Sequence, residues 1–194
     1  MWSRVALAAA LVETACWLTA TLLAGPDAWR HDISSLSAVG GAEPWWVIPG
    51  ELALAVGVAA LAVLLRGTAY AGDHVLVARV LLVIGAVGLA VQAVAREDGR
   101  ISFLHGPFAV IAILTICGAA LVLSVPLGSR ASAVSGLVAL ALFAVPYGIA
   151  QRLGVLVISA WLVVTALRLE REGHPVDAPA WRAARSTTAR ALRR

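Results

Sequence analysis

Asp98 and His105 stand seven positions apart, and their side chains are the pair in this chain best suited to acid–base or metal chemistry. An imidazole can take or give a proton near neutral pH, and a carboxylate can orient it or share a metal ion with it. Asp32 or Glu51 would complete such a set, and His31 offers a second imidazole. A divalent metal held by carboxylates and one histidine is therefore one occupant to consider. No HExxH or comparable spacing of ligands accompanies these residues, so no cofactor follows from motif. Ser34 supplies a hydroxyl in the same region, but no GxSxG elbow surrounds it. Gln151 and Arg152 follow Pro146 and Gly148, and a guanidinium fork there suits a lipid phosphate.

Two further charges lie inside apolar runs. Glu13 interrupts the first and Arg79 lies within the third. Charges at such depth are costly alone and usually face a partner. The expectation is a structural ion pair between Glu13 and Arg79, with snorkelling of Arg79 to the headgroups as the alternative.

The elements that must position these groups are transmembrane helices. Hydrophobic residues make up 61% of the 194 positions and charged residues 13%. A soluble domain carries about 45–50% and about 25%, so this chain has too little polar surface to cover itself in water. A bilayer core of about 30 Å takes about 20 apolar residues in a helix. Six segments qualify, at about 4–24, 46–65, 75–95, 104–125, 132–150 and 154–169, with Gly, Pro, Asp and Arg clusters between them. The reading is an all-α polytopic bundle of about six helices over residues 1–169, followed by a basic tail over 170–194. The first segment is longer than a signal-peptide core and reads as a retained helix. Cys16 and Cys117 both fall in apolar runs without metal-ligand spacing and read as packing residues.

All 15 basic residues are arginine, which together with the Ala, Val, Leu and Gly content suits a GC-rich bacterium and its plasma (inner) membrane. Arg4, Arg66, Arg130 and the arginines from Arg168 onward fall on one side of the six-span reading. Arg30, Arg96, Arg100 and Arg152 fall on the other. The positive-inside bias then puts both termini in the cytoplasm. The tail after residue 169 has six arginines against three acids, a net of +3, and can rest on anionic lipid or stay solvated. Nothing in the chain has the aromatic interleaving or fold of a nucleic-acid binder.

On this topology Asp32, Ser34, Glu51, Asp98, His105, Gln151 and Arg152 gather on the outer face. Glu51 and His105 lie inside the apolar boundary, which points to a pocket and not merely to wet loops.

Three stretches together resemble a bacterial membrane family called domain of unknown function 998. They are Ile33-Ser34-Ser35-Leu36-Ser37 ahead of Trp45; Asp98 followed by Leu104-His105-Gly106; and Gly148 to Leu169, with Gln151-Arg152-Leu153, Trp161-Leu162 and Leu167-Arg168-Leu169. The resemblance implies a six-helix bundle with its functional residues on the outer side. It lends no reaction. Its distant likeness to eukaryotic membrane families linked to lipid organisation is analogy. The chain departs from the pattern in three places. Ala95-Arg96-Glu97 stands where Phe-Pro-x precedes the aspartate, Ala109 where a second histidine can follow the first, and Ser35 where an acid is common. Each departure weakens a metal or acid–base site.

The leading expectation is a protein that binds a lipid or amphiphile headgroup in that outer pocket. An intramembrane hydrolase or transferase built on Asp98 and His105 is the second. A scaffold subunit, working as a homo-oligomer or with another membrane protein, is the third.

Overall fold

In lipid a backbone must satisfy its own polar groups, which leaves an apolar chain the helix. The computed structural model describes residues 1–37, 44–68, 70, 72–95, 101–146 and 148–173. Among them there is no strand. The chain forms α1 (Trp2–Ala24), a short 3-10 turn (Pro26–Arg30), α2 (Ile33–Ser37), α3 (Pro44–Leu64), α4 (Asp73–Val94), α5 (His105–Ser124), α6 (Arg130–Phe143) and α7 (Gly148–Gly173). Two further 3-10 turns lie at Leu65–Gly67 and Ser102–Leu104.

Five helices are long and apolar enough to cross a bilayer, which is a multi-pass membrane architecture. Their outward side chains agree, since Leu11, Leu22, Val56, Val83, Leu114 and Val164 are exposed. In water, so much open apolar surface would aggregate; against acyl chains it is at no disadvantage.

The fifth expected span, 132–150, is corrected. Helix α6 has 14 residues and stops at Phe143, about 21 Å at 1.5 Å per residue. Pro146 explains the stop: it has no N–H to donate and drives the preceding residue out of the helical region. The final helix is corrected too. It starts at Gly148, six residues before the expected 154, so Gln151 and Arg152 belong to its first turns and not to a loop.

The six long helices close into a ring: α1 packs on α3, α3 on α4, α4 on α5, α5 on α6, α6 on α7, and α7 back on α1. Inside lies a core that includes Leu61, Leu82, Leu123, Trp161 and Leu162. Small residues set the close approaches, as membrane helices require. A Cβ on Gly57 would lie 2.9 Å from Ala9 Cβ, and one on Gly50 would lie 2.8 Å from Cys16 Cβ, so α1 and α3 meet almost backbone to backbone. At α6, Ser132 Oγ donates to the Ala120 carbonyl (2.7 Å) and accepts from Trp161 Nε1 (2.8 Å), tying α5, α6 and α7 together.

The two ends of the ring differ. At the terminal end the Met1 amino group lies 3.3 Å from Glu170 Oε1, and Ser3 also donates to Glu170. The start of α1 and the end of α7 are therefore neighbours. Tyr70 donates to Glu172, which also pairs with Arg168 at 2.8 Å; that hydrogen bond holds the Tyr70 phenol above its usual range. At the capped end residues 25–37, after α1, fold over the bundle on a small core that includes Trp17, Ala20, Ala28, Ile33, Leu36 and Val47.

Candidate functional site

One side chain makes most of the polar contacts to the segment over the capped end. Arg152, on the second turn of α7, is 1% exposed. Its Nε and Nη2 donate to Thr21 Oγ1, both at 3.1 Å. Nη2 also donates to the Ala28 carbonyl (3.0 Å), and Nη1 to the carbonyls of His31 (2.8 Å) and Gly148 (2.9 Å). A guanidinium has five N–H donors, and all five are used. The Trp29 ring covers the same group, 5.5 Å from Cζ to centroid, a cation–π distance. The expectation that Arg152 grips a ligand phosphate is corrected, because no donor is left for one. Gly148 makes the clasp close: a Cβ there would collide with the His31 carbonyl.

Beneath this cap lies a cavity of about 90 Å³. Five helices each send one polar side chain to its wall: Glu13 from α1, Glu51 from α3, Gln92 from α4, His105 from α5 and Gln151 from α7. Ile33 lies in the roof, and its N–H donates to Gln151 Oε1 at 2.6 Å. The rest of the wall is apolar, with Leu54, Leu89, Ile113, Ile116, Phe143 and Ile158 among it.

Three of the five are linked. Gln92 Nε2 donates to Glu51 Oε1 at 3.1 Å. His105 Nδ1 lies 3.1 Å from the Gln92 carbonyl oxygen. That oxygen can only accept, so Nδ1 carries the proton, and in the neutral ring Nε2 keeps a lone pair. The contact also has a structural use: Gln92 is in the last turn of α4, where carbonyls lack a helical partner. The other carboxylate oxygen of Glu51, Oε2, is buried and has no hydrogen-bond partner among the described residues.

Glu13 belongs to this cavity and not to an ion pair. Its Oε2 accepts from Ser159 Oγ (3.2 Å) and Thr14 Oγ1 (3.3 Å). Among the described residues the ion pairs are Met1–Glu170, Arg30–Asp27 and Arg168–Glu172. The expected Glu13–Arg79 pair is corrected for a topological reason: α3 packs against both α1 and α4, keeping the two helices apart.

The structure thus brings Glu51, His105 and Gln151 together. Asp32 is exposed on the cap, where its carbonyl accepts from Ser35 Oγ. Asp98 and the side chain of Ser34 lie outside the described residues, as does the basic tail beyond residue 173. Among the described residues no three His, Cys, Asp or Glu side chains come together in a way that could hold a metal ion. Sequence reasoning missed Gln92. Its signal was present: the stretch from Val80 to Val94 has no other side chain able to hydrogen-bond.

A family model described as "protein of unknown function (DUF998)" matches residues 7–168, most of the chain. No curated protein and no solved structure matches it. The match runs from the second turn of α1 to within about a turn of the end of α7 and includes every residue lining the cavity. The chain is therefore a member of the family of proteins of unknown function designated DUF998.

Proposed function

We propose that the protein binds an uncharged or cationic amphiphile, with its polar end in the cavity beneath the cap and its apolar part toward Ile116 and Phe143. The observation that supports this reading is the Oε2 atom of Glu51, a buried acceptor with no donor among the described residues, beside an open cavity. An orphaned buried acceptor costs about 1–3 kcal/mol, so the site is incomplete until a donor arrives. A hydroxyl or an amine supplies one. Phosphate does not: it would bring negative charge to a cavity with two carboxylates, and Arg152 has no donor to offer it. This refines the sequence expectation from a phosphate grip to a donor-bearing head.

The cavity's size adds a constraint. About 90 Å³ holds a small head and a few carbons, so a long tail must leave between helices into the bilayer. The arginine asymmetry supports placing the terminal end in the cytoplasm and the capped end outside, in a bacterial plasma membrane. The ligand would then enter from the outer leaflet.

Three probes with one tail test the reading: dodecylamine, dodecanol and dodecyl phosphate, added to detergent-solubilised protein and followed by native mass spectrometry. The amine and the alcohol are expected to be retained and the phosphate not. Ala109→Trp, which fills the cavity from α5, should abolish retention. Preferred retention of dodecyl phosphate, or retention unchanged in Ala109→Trp, would overturn the proposal.

A further inference from the structure

A second site lies on the outside of the ring, where α3 and α4 run side by side near the terminal end. A trough of about 420 Å³ opens between them. Its floor is made of alanines: Ala62 is 4% exposed and Ala86 is 9%. Its walls carry Leu76, Val80, Val83 and Val87, all about half exposed. Short side chains beneath and branched ones at the rim make a channel the shape of an alkyl chain. From Arg79 to Val87 it extends eight residues along α4, about 12 Å by the helical rise.

Two cations stand at the head of this trough. Arg66 lies on the turn that ends α3, and Arg79 lies on the second turn of α4. Neither takes part in an ion pair among the described residues. The Nε of Arg79 is buried and has no hydrogen-bond partner among the described residues. Snorkelling carries the tip of an arginine to water but leaves a buried Nε unsatisfied. An oxygen of a planar or tetrahedral anion, approaching along the guanidinium edge, satisfies Nε and Nη together.

We infer that this trough binds an anionic glycerophospholipid, with the phosphate between Arg66 and Arg79 and one acyl chain on the alanine floor. Charge complementarity selects the head. Among the described residues no carboxylate lines the trough, so a zwitterionic lipid brings a trimethylammonium group to a site that already holds two cations. The apolar channel selects a lipid over a free phosphate. This site is separate from the cavity beneath the cap in position, in charge and in ligand.

Native mass spectrometry tests it, with dioleoyl phosphatidylglycerol and dioleoyl phosphatidylcholine added in equal amounts to the solubilised protein. Wild type should retain phosphatidylglycerol at least about tenfold better, as a charge-assisted contact implies. Arg66→Gln, at an exposed position, should fold normally and lose most of that preference. Arg79→Gln should lose it as well. Val83→Trp, which blocks the channel and keeps both arginines, should reduce retention of both lipids. Glu51→Gln should leave the preference intact. Equal retention of the two lipids by wild type would overturn the inference, as would a preference that survives in the Arg66→Gln/Arg79→Gln double variant.

Discussion

The hydroxyl of Thr21 accepts two hydrogen bonds from one guanidinium: Nε and Nη2 of Arg152 each lie 3.1 Å from its Oγ1. The same hydroxyl donates to the Trp17 carbonyl at 2.7 Å. All its hydrogen-bonding capacity therefore goes to holding α7 against α1 and the cap against both. Among the described residues every hydrogen-bond acceptor of the guanidinium is neutral, a hydroxyl or a backbone carbonyl.

Thr21→Val keeps the shape of the side chain and removes the acceptor. Two N–H groups of a buried cation would then be unsatisfied, at a cost of about 2–4 kcal/mol. Thr21→Ser retains the hydroxyl and should lose less than about 1 kcal/mol. Thermal unfolding in detergent, followed by tryptophan fluorescence, separates the two. A Thr21→Val protein as stable as wild type would mean that the clasp contributes nothing.

Glu13 gives a different kind of prediction. Its partners are hydroxyls, and an amide oxygen can accept from Ser159 as a carboxylate does. Glu13→Gln should therefore change stability by no more than about 1 kcal/mol, the size of one net hydrogen bond. In a double-mutant cycle with Arg79→Gln, the coupling should be zero within error, since α3 separates the two side chains. A coupling above about 1 kcal/mol would restore the ion pair expected from sequence.

These two residues show what the sequence allowed one to read. Of the six spans read from apolar runs punctuated by Gly, Pro and Arg, five correspond to helices long and apolar enough to cross a bilayer, because a bilayer sets a length that composition must meet. Glu51, His105 and Gln151 were legible as a converging group because each sits at the edge of an apolar run. Arg152 was misread because, with Gln151, it stands between the apolar runs 132–150 and 154–169 and so reads as part of a polar connection. Only the partners on α1 and the cap, more than a hundred positions away in the chain, make it an interior residue. Glu13 was recognised as costly, but the order of helices around the ring decides its partner, and hydropathy does not encode that order. Gln92 passed unnoticed because an amide without charge hardly disturbs an apolar run.

The approach of α1 to α3 should be as sensitive as it is close. Gly57→Ala brings a methyl to 2.9 Å from Ala9 Cβ and 3.0 Å from Leu162 Cδ2. Both neighbours belong to packed helices, so the expected loss is about 1–3 kcal/mol. Gly67→Ala, with no atom within 4 Å of the new methyl, is the control and should be neutral or slightly stabilising. Equal melting temperatures for the two variants would show that α1 shifts at no cost.

The placement of the two ends across the membrane can be tested with thiols. Asp27, on the cap, and Asp73, in the first turn of α4, are both exposed, and they mark opposite ends of the ring. In a background where Cys16 and Cys117 are replaced by alanine, each can be changed to cysteine alone. A maleimide that cannot cross membranes, applied to intact cells, should label Asp27→Cys and spare Asp73→Cys. After lysis both should react. The physical basis is the arginine asymmetry, with Arg66 and the basic end of α7 on the side of Asp73. The reverse labelling pattern would turn the cavity toward the cytoplasm and move the entry of its ligand to the inner leaflet. It would also place the Arg66–Arg79 trough in the outer leaflet, so the same experiment fixes the leaflet for both sites.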